Sequence, residues 1–161
     1  MRTSRFGAAA LLGVLAWGCG ATTTRDRHTT VRSAATLSSA TVTFMTRDEG
    51  KDEDSAVAIQ LLDEGTLLSA DGSLTDLEFD EASVSAPLTL TVMRPVSAAD
   101  LHDARLRLRL TPDGRDTWVF DLRLAVRLSD GAERQYFWSG IRLDESAPER
   151  TLALASGEVR R

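Results

Sequence analysis

Cysteine, lysine, tyrosine and histidine are nearly absent from this chain, and each scarcity closes a class of function. Cys19 is the only cysteine in 161 residues, so no internal disulfide can form and no multi-cysteine metal site can be built. Two histidines, His28 and His102, leave little from which to make a transition-metal centre. Lys51 is the only lysine; all other fixed positive charge is arginine, a bias that, with abundant Ala, Leu and Asp, fits a GC-rich bacterial genome. The formal net charge of -5 and a pI near 5.0 argue against general nucleic-acid binding, which needs a basic field to displace phosphate counterions. No GxSxG, HExxH, phosphate loop or dinucleotide fingerprint occurs, and no internal repeat. His102 beside Asp103 makes no catalytic pair, because adjacent residues seldom face each other and no nucleophile is near. No enzyme is expected.

What is present begins with an export signal. Arg2 and Arg5 precede an apolar run from Phe6 to Gly18, too short to span a bilayer as a mature helix. Residues 1–18 read as a signal peptide. The run ends in Leu15-Ala16-Trp17-Gly18-Cys19, which resembles the lipobox of bacterial lipoproteins, although Leu15 is one place early and Trp17 is bulky for its position. The resemblance implies that Cys19 is diacylated after cleavage, and Gly20 after it implies sorting to the outer membrane of a diderm bacterium. The alternatives are a plain signal peptide, with the chain secreted, and an uncleaved anchor. Each buried acyl CH₂ adds about 0.8 kcal/mol, so two or three chains anchor stably. Residues 19–38, rich in Thr, Ser, Ala and Arg without a usable period, read as a disordered tether with an r.m.s. span of roughly 25 Å. His28 lies in it without a role.

The remainder, 39–161, has the length of one domain and the pattern of an antiparallel β-sandwich. Strands are expected at Ala40–Arg47, Ser55–Leu62, near Thr66–Ala70, at Ala86–Met93, and at the end near Thr151–Ala155. Asp63-Glu64-Gly65 and Asp71-Gly72 read as turns, Leu77 and Phe79 as an edge segment. Ser97-Ala98-Ala99-Asp100 opens one short helical turn with Leu101 inward. The most regular stretch is Arg105–Leu143. There Trp118, Phe120, Leu122, Leu124, Val126 and Leu128 alternate with Val119, Asp121, Arg123, Ala125 and Arg127, and Leu106, Leu108 and Leu110 alternate with Arg105, Arg107 and Arg109. About eight strands and one helical turn make the expected all-β fold.

If Asp130-Gly131 is a two-residue turn, Ser129 pairs with Ala132. Trp118 then faces Leu143, Phe120 faces Ile141, and Leu124 faces Phe137, an apolar side. The other side puts Arg123 opposite Trp138 and Val119 opposite Arg142. Pairing Leu110 with Trp118 adds the arginines of the preceding strand. One sheet face would thus collect Arg105, Arg107, Arg109, Arg123, Arg127 and Arg142 with Tyr136 and Trp138. Guanidinium forks bind phosphate and carboxylate bidentately, and indole beside arginine offers stacking, so this face would take an anionic envelope ligand: a lipid head group, lipopolysaccharide or acidic glycan. A solvated face whose arginine stems cover Trp138 is the bland alternative.

Two acidic segments suit a hard cation. Asp48, Asp52 and Asp54 in the Arg47–Ser55 loop, with Asp113 and Asp116 in the Thr111–Thr117 turn, would supply oxygens for Ca²⁺, the one cofactor in view. The spacing is not that of an EF-hand, and strict up-and-down strands would put the two loops at opposite ends. The strand Ala40–Arg47, its acidic loop, Ser55-Ala56-Val57-Ala58-Ile59, and Asp116-Thr117-Trp118-Val119-Phe120-Asp121 together resemble PLAT/LH2 domains, over Ala40 to about Leu128. That resemblance implies a β-sandwich that attaches to membranes or partner proteins, some with calcium. The expected function is a lipid-anchored envelope binding module. A structural or assembly lipoprotein that meets a partner protein by an edge strand is the second reading.

Overall fold

The computed structural model describes residues 34–63, 67–113 and 116–159. The expected signal peptide, Cys19, the expected tether as far as residue 33, and residues 64–66, 114–115 and 160–161 lie outside the described residues. The strands are β1 (Leu37–Thr46), β2 (Ala56–Asp63), β3 (Leu67–Leu74), β4 (Leu88–Val92), β5 (Arg105–Thr111), β6 (Thr117–Leu128), β7 (Glu133–Asp144), β8 (Glu149–Ala153) and β9 (Glu158–Val159). All pairings are antiparallel, in one sheet ordered β8-β5-β2-β3-β4-β1-β6-β7-β9. Helix among the described residues is limited to two 3-10 turns, Asp100–His102 and Leu154–Ser156. The first is the expected one: the Asp100 N–H donates to Ser97 Oγ at 3.2 Å, and Leu101 is fully buried.

One sheet can enclose its own core because β4 changes partners along its length. Leu88–Leu90 pairs with β1, while Thr91 and Val92 pair with β3. Such a switching strand makes a corner, so the two halves of the sheet face each other. Inner residues of both halves form a single cluster, among them Ile59, Leu61, Leu106 and Leu108 from one half and Val42, Phe44, Phe120 and Leu122 from the other. Asp71-Gly72 is not a turn but continues β3, with Ile59 opposite Gly72. A Cβ there would stand 2.8 Å from Leu90 Cδ2, so glycine allows the corner to pack close.

The register assigns every loop to one of two ends. Thr46 opposite Phe120, Ala56 opposite Thr111, Val57 opposite Leu74 and Thr117 opposite Asp144 put loops 47–55, 75–87, 112–116 and 145–148 at one pole. The other pole carries the start of β1 and the connections 93–104 and 129–132. The two acidic loops expected at opposite ends are therefore neighbours, because β2 lies beside β5 and not in simple up-and-down order.

The β6–β7 hairpin corrects the expected register. Leu128 N–H donates to Ala132 O at 2.8 Å, and Gly131 has φ +86, so Ser129-Asp130-Gly131 is a three-residue turn with glycine in the left-handed position. Pairs near it are shifted by one: Arg123 faces Phe137, Leu124 faces Tyr136 and Leu122 faces Trp138. A bulge at Ser139-Gly140, with Gly140 at φ +65, then takes up one residue. Beyond it Phe120 faces Ile141 and Trp118 faces Leu143, as expected.

Candidate functional site

The expected arginine–aromatic face does not assemble. β5 and β6 are separated by β2, β3, β4 and β1 in the strand order, so Arg105, Arg107 and Arg109 share no ladder with Arg123, Arg127 or Arg142. Arg107 donates to Gln60 Oε1 from Nε at 2.9 Å and also from Nη2, and Arg109 lies opposite Glu149. Arg127 pairs with Glu133 at 2.5 Å and Arg123 reaches Thr43 Oγ1 at 3.4 Å. The shifted register turns Tyr136 and Trp138 to the core, 5% and 9% exposed, with rings stacked 6.2 Å apart. Of the eight residues, only Trp138 and Arg142 come together at one concavity.

The two acidic segments expected to supply calcium ligands come to one pole. Asp113 N–H donates to Ser55 Oγ at 3.1 Å, which ties the two loops together. Among the described residues, no group of three or more His, Cys, Asp or Glu side chains is placed to hold a metal ion. The cation at this pole is Lys51, only 1% exposed. Its Nζ donates to the carbonyls of Asp52 at 2.6 Å and Leu77 at 2.5 Å and stands 5.9 Å from the centre of the Phe79 ring. Burial pushes the Lys51 ammonium below its ordinary pKa; the carboxylates of Asp116, Asp52, Asp54 and Asp76 pull the other way. Beneath it Phe79 stacks on Trp118 at 5.3 Å, and Trp118 Nε1–H donates to Thr46 Oγ1 at 3.1 Å. Composition marked Lys51 as unusual, but no periodicity pointed to its burial.

The concavity lies where the sheet fails to close. β7 and β8 are consecutive in sequence, yet among the described residues β7 pairs with β6 and β9, and β8 with β5 alone. Between them is a pocket of about 490 Å³ lined by Trp138, Ile141, Arg142, Arg150, Leu152 and Ser156, among others. β7 and β8 flank it, the 145–148 turn joins these two strands at one end, and the 154–157 segment, which contributes Ser156, carries the chain from β8 to β9 at the other. Gly157 makes that crossing possible, since a Cβ there would stand 2.9 Å from Trp138 Cζ2.

Charge in this window is uneven. Arg142 is held by Asp144 at 2.9 Å and Glu49 at 3.2 Å. Asp144 itself lies well below the usual carboxylate range, first through the Ser146 hydroxyl, then Arg142, then the Ala147 N–H. Arg150 forms no ion pair with any described residue. It lies opposite Leu108, a core residue, so its side chain leaves β8 on the inner side, toward the window. Arg150 is the residue that sequence reading missed; its strand was legible as an edge, but which face it presents depends on pairing with β5. An apolar floor of Trp138, Ile141 and Leu152 beside an uncompensated guanidinium can hold an anion that carries an apolar portion. No family model matches this chain, and no curated protein sequence matches it.

Proposed function

We propose that this chain is a lipid-anchored binding module of the cell envelope that takes an anionic ligand in the window between β7 and β8. The observation that carries the reading is Arg150, which has no ion pair among the described residues and lines the pocket with Trp138, Ile141 and Leu152. A buried apolar portion supplies affinity at roughly 25 cal/mol per Å², and the guanidinium selects for charge. Anchoring would run through acylated Cys19. Because β1 starts at the pole opposite the acidic loops, a chain from Cys19 enters the domain at the less acidic end.

Two measurements test this. Titration of the purified chain with dodecanoate, dodecyl phosphate and uncharged dodecyl maltoside should shift tryptophan fluorescence with the two anions only, and Arg150→Glu should remove the shift; equal response to the maltoside sinks the anionic reading. In a diderm host, an alkyne-palmitate label should enter the wild-type chain and not Cys19→Ala. Label retained by the alanine variant would end the lipoprotein assignment.

A further inference from the structure

We infer that the window receives the free carboxyl end of an extended peptide, its main chain pairing with the open strand edges and its carboxylate on Arg150; this rests on the anionic-ligand reading above. The hydrogen-bond parity of both strands points this way. Val119 N–H donates to Glu49 O at 3.1 Å and Val119 O accepts from Arg47 N–H at 2.8 Å, so Val119 turns its main chain away from β7. Arg142, opposite it, therefore sits in a non-hydrogen-bonded pair and aims its own N–H and C=O at the window. On β8 the Leu110 N–H donates to Pro148 O at 2.7 Å and the Leu154 N–H to Ala104 O at 2.9 Å. Alternation between these two points turns the Thr151 N–H and C=O outward to the same gap. Two strand edges thus offer donors and acceptors across one opening, which is the chemistry that recruits an added strand.

The frame decides which part of a peptide fits. A strand running through would have to cross the 145–148 turn at one end and the 154–157 crossing at the other. A chain end needs to enter from one side only. Arg150 lies near the 145–148 end, where a terminal carboxylate would meet an uncompensated fork; an N-terminal ammonium would meet repulsion. The side chain of the last residues would face the Trp138–Ile141–Leu152 floor.

The test exposes the purified full chain to a fully randomised hexapeptide pool, prepared as free acids and as carboxamides, with retained peptides read by mass spectrometry. Free acids should be retained about tenfold over amides on the wild type. Arg150→Gln should erase that preference. Thr151→Pro, which removes one edge N–H at an edge position that tolerates proline, should lower retention of both pools. Equal retention of acids and amides, or a preference undiminished in Arg150→Gln, overturns the inference. If neither pool is retained while dodecanoate still binds in an Arg150-dependent way, the chain-end inference falls and the anionic-ligand reading stands. If dodecanoate and dodecyl phosphate fail as well, both fall.

Discussion

Lys51 and Arg150 are both cations placed at the boundary of the same core, and the structure treats them oppositely. Lys51 is enclosed: two carbonyls accept from its ammonium, an aromatic ring lies below it and carboxylates surround it. Arg150 projects into a window and has no ion pair among the described residues. A buried charge must be matched within the fold, since an unmatched one costs several kcal/mol. An exposed one can be left unmatched at little cost and remain available to a ligand. The pole with Lys51 is thus read as structural, and the window with Arg150 as functional.

The comparison breaks most readily at the aromatic base of the Lys51 pole. Trp118 is fully buried, with ring centres of Phe44 at 4.8 Å, Phe79 at 5.3 Å and Phe120 at 4.0 Å. Trp118→Ala should cost about 3–5 kcal/mol in urea unfolding, the largest loss expected from one substitution. Lys51→Met comes next. It keeps the packing volume but leaves the Asp52 and Leu77 carbonyls without their donor, a loss of about 2–4 kcal/mol at neutral pH. The pH dependence separates it from a packing defect. Burial holds the folded Lys51 pKa below its unfolded value of 10.5. Between those two values the unfolded chain binds more protons, so stability climbs as pH rises through the interval. Lys51→Met should lack that climb; an unchanged pH profile would mean that the ammonium is not the buried species.

Much of this architecture was legible, and the misses have local causes. The period-two alternation of β6 locates the centre of the core, because a half-buried strand must alternate. The expected pairs Trp118–Leu143 and Phe120–Ile141 survive, although two offsets intervene. The three-residue turn shifts the ladder by one, and the Gly140 bulge shifts it back. Both glycines were visible as signals, and the apolar spacing Tyr136, Trp138, Ile141, Leu143 itself breaks step at Ser139-Gly140. Ignoring that break moved Trp138 to the wrong face. The separation of β5 from β6 was not legible, since strand order depends on which nonlocal edges meet. Arg150 escaped notice for the same reason: its direction is set by β5, forty residues earlier in sequence.

At the window, a packing change should be felt less than at the sealed pole. Gly157→Val would force side-chain atoms within 2.9–3.1 Å of Trp138 and Tyr136, and overpacking of this kind costs about 1–3 kcal/mol. Its signature should be a changed Trp138 emission together with lower stability. If emission changes while stability does not, the 154–157 crossing moves freely and the lower frame of the window is not rigid.

The smallest stability effect is expected where the functional effect is greatest. Arg150→Gln removes a guanidinium without an ion pair from an exposed edge position, so urea unfolding should change by less than about 0.5 kcal/mol. Binding of dodecanoate should nevertheless fall about tenfold or more, the loss of one charge-assisted contact. Such a division, stability kept and binding lost, is the reverse of what Lys51→Met should give. If Arg150→Gln instead destabilised the fold as Lys51→Met does, Arg150 would belong to the same class as the buried lysine. The window would then be a packing gap bridged by a structural cation, and the contrast between the two sites would disappear.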